Sequence, residues 1–178
     1  DIEENDPKIK KLLNEVKDRE FIGYSYDGAD ASFELLARRI IGEIPRYISI
    51  TEYDVSVKKN SLGEIISSAK ANLEVDGEKI ICEGEGNGPV NALDNAIRQN
   101  VDRLAKYSEY LKDLKLVDYK VRILNTGTEA VTRVSIESTD SKGKNWFTIG
   151  VSTNIIDASF KALIDSLDYK LFKDNAPA

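Results

Sequence analysis

The glycine-rich segment from Gly84 to Pro89 is the part of this sequence whose residue types and spacing could hold a ligand. A dinucleotide-binding loop has the pattern G-x-G-x-x-G inside a parallel β-α-β unit, but here the helix that follows leads into a second set of antiparallel strands. Two interpretations remain. The glycines permit a tight turn from strand to helix, or the free N–H groups at the helix start bind a carboxylate. A matching helix start is predicted at Thr153-Asn154.

Other residues that could carry out catalysis are few. The sequence contains no histidine, which excludes histidine-based metal sites, Ser-His-Asp triads and Cys-His pairs. Glu83 and Glu85 share one face of a predicted strand, with no polar catalytic partner evident. Cys82 alternates with Ile80 on the inward face, so it is predicted to be a core residue. We therefore expect this chain to be non-catalytic by itself, with no cofactor and no metal site.

The composition describes a folded domain with an acidic surface. The chain has 178 residues, of which 41% are hydrophobic and 31% charged, with a net charge of -6. The negative charge disfavours non-specific nucleic-acid binding, and no apolar run is long enough to span a membrane. A single cysteine excludes an internal disulfide and is typical of a reducing compartment. Because the chain lacks methionine and begins at Asp1, we expect it to be a piece of a longer protein.

Residues 1–44 are predicted to form a helical linker subdomain. The first helix has an apolar stripe at i, i+3, i+4 and i+7 and carries Pro7 in its first turn. The second is expected to be capped by Asp27 and to end at Gly42. The predicted stripes consist of Ile9, Leu12, Leu13 and Val16 in the first helix, and of Phe33, Leu36, Ala37 and Ile40 in the second.

From residue 47 the apolar period changes from 3.6 to 2, and the pattern is strand, strand, strand, helix. This pattern then repeats at a constant offset of 66 residues, with residues 105–115 as the connection. The matched pairs include Tyr53 with Tyr119, Val55 with Val121, Val57 with Ile123, Gly77 with Gly143, Gly84 with Gly150, Ala92 with Ala158 and Ile97 with Leu163. The sequence therefore predicts an α+β fold of two pseudo-symmetric β-β-β-α units within a domain spanning 45–178. Open sheet faces would be available to a second subunit.

Several segments resemble the C-terminal regulatory domain of 2-isopropylmalate synthases and citramalate synthases. Gly86 to Leu93 (GNGPVNAL) and Gly150 to Ser159 (GVSTNIIDAS) resemble its two strand-to-helix junctions, and Val117 to Tyr119 resembles the start of its second half. Gly23 to Leu36 (GYSYDGADASFELL) resembles the linker before that domain, in a form closer to the citramalate synthases.

The resemblance implies a parent enzyme that is an acetyl-CoA-dependent acyltransferase in the cytoplasm. Its catalytic part would be a TIM barrel with a divalent metal, absent from this chain. The regulatory domain would form a homodimer that binds the end-product amino acid, isoleucine for citramalate synthases or leucine for isopropylmalate synthases.

The resemblance also implies an effector pocket. Helix-start N–H groups would bind the carboxylate, and aliphatic side chains would contact the branched tail. The residues implied are Asn87, Gly88, Val90, Asn91, Leu116, Tyr119, Ile123, Val134, Thr153 and Ile155. Asn91 stands where many relatives carry Asp, which removes a charge-assisted contact to the ammonium group. The alternatives are a leucine-sensing domain and a structural dimerisation module without an effector.

Overall fold

Two three-stranded antiparallel sheets, each followed by a helix, form the core of the computed structural model, which describes residues 6–124 and 130–178. The first unit consists of β1 (Ser49–Lys59), β2 (Ile65–Val75), β3 (Glu78–Gly86) and α3 (Pro89–Gln99), and the second of β4 (Lys115–Ile123), β5 (Thr132–Thr139), β6 (Asn145–Ser152) and α5 (Ile155–Lys173). Before them lie α1 (Pro7–Phe21) and α2 (Asp30–Ile41), and a short α4 (Ser108–Leu111) lies in the connection. The predicted α+β fold of two β-β-β-α units is confirmed.

The internal repeat is visible in the backbone. Each first strand carries a bulge at the same place, between Ile50 and Glu52 in β1 and between Leu116 and Asp118 in β4. Gly77 and its counterpart both adopt positive φ in the second hairpin turn. The offset of 66 does not hold in the middle strands. Tyr53 pairs with Ala71 on β2, and its counterpart Tyr119 pairs with Ile136 on β5. Ala71 and Ile136 are 65 residues apart, so β5 is offset by one residue less.

Both junction glycines allow a helix to approach a strand closely. A Cβ atom at Gly84 would lie 2.4 Å from the backbone nitrogen of Ala96, and one at Gly150 would lie 1.9 Å from the carbonyl oxygen of Ala158. Gly84 lies within β3 and not in a turn. Within the Gly84–Pro89 segment, Gly84 therefore takes no part in the turn to the helix, and its role is to let α3 pack directly on the sheet.

The helices that follow the two sheets, α3 and α5, leave one strand of each sheet partly uncovered. α3 packs on β2 and β3, and α5 packs on β5 and β6. The first strand of each sheet carries three apolar or aromatic side chains on the same face as the buried residues with which they pair. These are the β1 triad of Tyr53, Val55 and Val57 and the β4 triad of Tyr119, Val121 and Ile123. Val57 is 55% exposed and Ile123 is 69% exposed, so the residues that the structure describes leave part of each triad uncovered.

The helical segment is attached to the core through α2. The predicted α2 stripe is partly wrong, since Phe33 is 41% exposed while Leu35 is fully buried. The buried face includes Ser32, whose hydroxyl donates to the Asp165 carboxylate at 2.9 Å and accepts from the Ile149 N–H at 3.0 Å. The periodicity predicts an apolar contact through Phe33, but the buried position is taken by Ser32 with its two hydrogen bonds. α2 also begins after Ala29, with no side-chain cap from Asp27.

An ionic contact fixes α2 to α5. Arg39 donates to Asp165 at 3.1 Å and to Asp168 at 2.5 Å. Asp168 is fully buried and also accepts from the Ile48 N–H at 3.1 Å, which joins α5 to the residue before β1. Burial raises the pKa of Asp168 to about 7, against the opposing charge of Arg39. Within the described residues, no helix has the length and apolarity to cross a membrane.

Candidate functional site

The start of α3 has free N–H groups and no side chain to cap them. Gly88 occupies the N-cap position with extended backbone and has no side-chain oxygen that could cap these groups. Pro89 follows and has no N–H, so the unpartnered donors of the first turn are those of Val90 and Asn91. The side-chain oxygen of Asn91 turns back to accept from the Asn87 N–H at 3.2 Å. The two helix N–H groups therefore remain available to an anion from outside.

The start of α5 is the counterpart of the α3 start in the repeat, but its N–H groups are capped by a side chain. Asn154 corresponds to Gly88 at the repeat offset, and its side-chain oxygen accepts from Ile156 at 2.8 Å and from Asp157 at 3.3 Å. These two N–H groups correspond to those of Val90 and Asn91. The second helix start is thus satisfied internally, and the two helix starts that appear equivalent in sequence differ in their capacity to bind a carboxylate.

A second polar group lies next to the α3 start. Ser67 on β2 pairs with Gly86, the last residue of β3, and is fully buried. Among the described residues its hydroxyl has no hydrogen-bond partner. Gly86 itself approaches α3 so closely that a Cβ would lie 2.4 Å from the Asn91 side-chain oxygen. An unsatisfied buried hydroxyl beside two free N–H groups adds to the polar character of this corner.

The predicted residues of the second unit form a separate group around β4 and α5. The Ser159 hydroxyl donates to the Ile155 carbonyl at 2.6 Å, so the Tyr119 hydroxyl, 2.9 Å away, donates to Ser159. Burial raises the pKa of Tyr119, which keeps this hydroxyl neutral and able to donate. Ile155 is 43% exposed and Thr153 is exposed. The chain thus holds Tyr119 in a fixed orientation beside the α5 start.

The remaining predicted residues lie on β4 and β5. Leu116 borders a small apolar cavity together with Ile97 of α3, which is where the two units meet. Val134 is fully buried beneath α5, whereas Ile123 is largely exposed. Within the described chain, therefore, the predicted residues form two groups, one at the α3 start and one along β4, β5 and the α5 start, and they do not line a single cavity.

Sequence reasoning missed a groove that the described residues form. This groove has a volume of about 690 Å³ and lies between α1, α2, β1 and α5. Its lining includes Ile50, Tyr53 and Phe160, and the ring centroids of Tyr53 and Phe160 are 4.3 Å apart. The available signal was the repeat, because Ile50 and Tyr53 correspond to Leu116 and Tyr119 at the offset of 66.

Cys82 is confirmed as a core residue. It is fully buried on the inner face of β3, opposite Ala71, and burial raises the pKa of its thiol. The protonated thiol is a poor nucleophile at neutral pH.

Comparisons with known proteins agree with this architecture. A family model described as the LeuA allosteric (dimerisation) domain matches residues 27–171. The (R)-citramalate synthase of Aquifex aeolicus is 44% identical over 177 residues, covering 98% of this chain and 33% of the relative. That of Geobacter sulfurreducens is 43% identical over 175 residues, covering 97% of this chain and 32% of the relative. A 2-isopropylmalate synthase of Pseudoalteromonas atlantica is 34% identical over 105 residues, covering 59% of this chain and 18% of the relative. The chain spans about a third of the length of the citramalate synthases it matches.

Proposed function

Because this chain belongs to the LeuA allosteric (dimerisation) domain family, we propose that it is the amino-acid-sensing part of an (R)-citramalate synthase-like acyltransferase. The parent enzyme would join acetyl-CoA to pyruvate in the cytoplasm, using a barrel located in the part of the relatives that this chain does not span. The effector would be isoleucine, acting as a feedback inhibitor. Residues 45–178 would form the sensing domain, and residues 1–44 would form the linker to the barrel.

The observation that carries the proposal is the difference between the two helix starts. The N–H groups of Val90 and Asn91 have no side-chain cap, whereas Asn154 caps the corresponding pair. An amino-acid carboxylate supplies the oxygen atoms that Gly88 lacks. The buried hydroxyl of Ser67, which has no hydrogen-bond partner among the described residues, lies on β2 opposite Gly86 and adds to the polar character of this corner. Two free N–H groups favour a bound carboxylate at α3 rather than at α5.

A homodimer would bring the two groups of predicted residues together. Within one chain, the exposed part of the β4 triad and the α3 start lie on separate surfaces, and both are accessible. Apolar side chains such as Val57 and Ile123 are exposed on strands that a second copy could cover. In such a dimer the carboxylate would bind at α3, and the aliphatic tail would lie against Leu116, Tyr119 and Ile123.

The decisive test is to install the missing cap. Gly88→Asn gives α3 the residue that caps α5, and its N–H groups then become satisfied from within the chain. The substitution fits, because Gly88 has extended backbone with φ -161° and a Cβ there would meet nothing within 4 Å. Calorimetric titration with isoleucine should show binding to the wild type and at least tenfold weaker binding to Gly88→Asn. Gly88→Ala is the matched control, since it adds a side chain without a capping oxygen and should retain affinity.

Two further results separate the alternatives. Leucine and isoleucine have equal volume, and shape discrimination between such isomers is worth about 1–3 kcal/mol. Tighter binding of leucine than isoleucine would favour a leucine-sensing 2-isopropylmalate synthase domain. Absence of heat with isoleucine, leucine and valine would favour a purely structural dimerisation module. Tyr119→Ala should weaken isoleucine binding by more than tenfold while leaving the dimer intact, and unchanged affinity would refute the assigned pocket.

A further inference from the structure

We propose that the groove between α1, α2, β1 and α5 is a second ligand site, for a small aliphatic α-amino acid. Its volume of about 690 Å³ lies within the usual range of small-molecule sites. None of the ten residues predicted for the effector pocket lines it. The groove is therefore a separate site on the same chain.

The charges in the groove favour a carboxylate at one end. Most of its cationic side chains are already paired: Arg19 with Glu15 at 2.7 Å, Arg39 with Asp165 at 3.1 Å, and Lys161 with Asp157 at 2.8 Å. Arg46 and Lys11 also line the groove, and neither forms an ion pair with any residue in the described parts of the chain. Arg46 and Lys11 are therefore the cations of this lining that are available to a ligand carboxylate.

Glu52 provides an acceptor for the ammonium group of the ligand. One of its carboxylate oxygens accepts from the Asn72 side-chain amide at 3.0 Å, and the other is free to accept from a ligand. The Asp157 carboxylate lies in the same lining. Between the charged groups, Ile50, Phe160 and Ile164 provide an apolar surface for an aliphatic side chain. A carboxylate, an ammonium group and an aliphatic side chain together describe an α-amino acid.

The internal repeat also supports an amino-acid ligand. At the offset of 66, Ile50 corresponds to Leu116, Tyr53 to Tyr119, and Asp157 to Asn91. The groove is thus built from counterparts of residues assigned to the effector pocket, and this step alone rests on the proposed function. The counterpart of Asn91 is here a carboxylate. Because the α5 start is capped by Asn154, the ligand carboxylate in the groove would bind Arg46 and Lys11 and not the helix N–H groups.

Backbone-amide NMR titration of the full chain tests the proposal. The probes are L-isoleucine, L-valine and 3-methyl-2-oxopentanoate, which keeps the carboxylate and tail of isoleucine but lacks the ammonium group. We expect saturable shifts at residues 50–53 and 160–164 with the amino acids, and at least tenfold weaker binding there in Arg46→Gln. Arg103→Gln, which removes an exposed arginine beyond α3, is the matched control and should bind as the wild type does.

The failure of this site and that of the effector pocket give different spectra. Shifts confined to residues 87–91 and to β4 would overturn the groove site and leave the proposed function intact. Shifts confined to the groove would support the groove site and count against the effector pocket. Equal binding of the 2-oxo acid and isoleucine in the groove, or unchanged affinity in Arg46→Gln, would overturn the assignment to an amino acid.

Discussion

Gly150→Ala should be among the most destabilising single-methyl additions in the second unit. The new Cβ would lie 1.9 Å from the Ala158 carbonyl oxygen, whereas ordinary contact begins at 3.4 Å. The obstacle is helix backbone, so it cannot rotate away, and α5 as a whole must move outward. α5 has eleven buried residues, so that movement disturbs most of the packing on β5 and β6.

The magnitude follows from overpacking in other cores. Inserting a methyl group into a well-packed core costs about 1–3 kcal/mol, and a backbone obstacle places this case near about 3 kcal/mol. For a chain of this length, that corresponds to a fall in melting temperature of about 6–12 °C. Thermal unfolding followed by circular dichroism at one fixed protein concentration measures it.

Alanine substitutions at two further glycines provide comparisons for this melting temperature. Gly84→Ala places a Cβ 2.4 Å from the Ala96 backbone nitrogen and should cause a substantial loss as well. Gly88→Ala meets nothing within 4 Å, so its melting temperature should change by less than about 2 °C. If Gly150→Ala melted within 2 °C of the wild type, the close approach of α5 to β6 would not be what requires glycine there.

Three other measurements test separate parts of the structure. The chain should scatter light as a dimer at micromolar concentration, and the Val57→Lys, Ile123→Lys double variant should scatter as a monomer because it charges both uncovered triads; a monomeric wild type would contradict this. Amide hydrogen exchange should be faster in α1, which has no buried residue, than in α3, and equal protection would refute the prediction. Stability should fall as pH rises from 5 to 7, because burial raises the pKa of Asp168 to about 7, so the folded state holds a proton that the unfolded chain has released. The chain has no histidine to titrate in that range, so Asp168→Asn should flatten the slope, and an unchanged slope would assign it elsewhere.

The sequence predicted the parts of the fold that depend on local periodicity. Alternation identified the strands, and the repeat identified the two units, because side-chain direction in a strand is fixed by position alone. The second helix start at Asn154 and the turn at Asp76-Gly77 were also predictable, since capping and positive φ have strong residue preferences.

The parts that depend on distant segments could not be predicted in this way. Ser32 is buried because Asp165 and Ile149, more than a hundred residues later, satisfy its hydroxyl, and no hydropathy pattern marks such a residue. The one-residue change of offset in β5 is visible only in the strand pairing. The groove likewise requires α1 and α2 to lie across β1 and α5, which the residues of no single element specify.

The uncapped start of α3 has a consequence for how a ligand would act on this domain. A carboxylate bound to the N–H groups of Val90 and Asn91 would take the place of the capping side chain that Gly88 lacks, so a molecule from solution would complete the helix start. A cap of this kind contributes about 1 kcal/mol to helix stability. The start of α5 is capped by Asn154 of the chain itself, so its stability would not depend on a ligand in this way. The stability of the first turn of α3 would then depend on the concentration of the ligand.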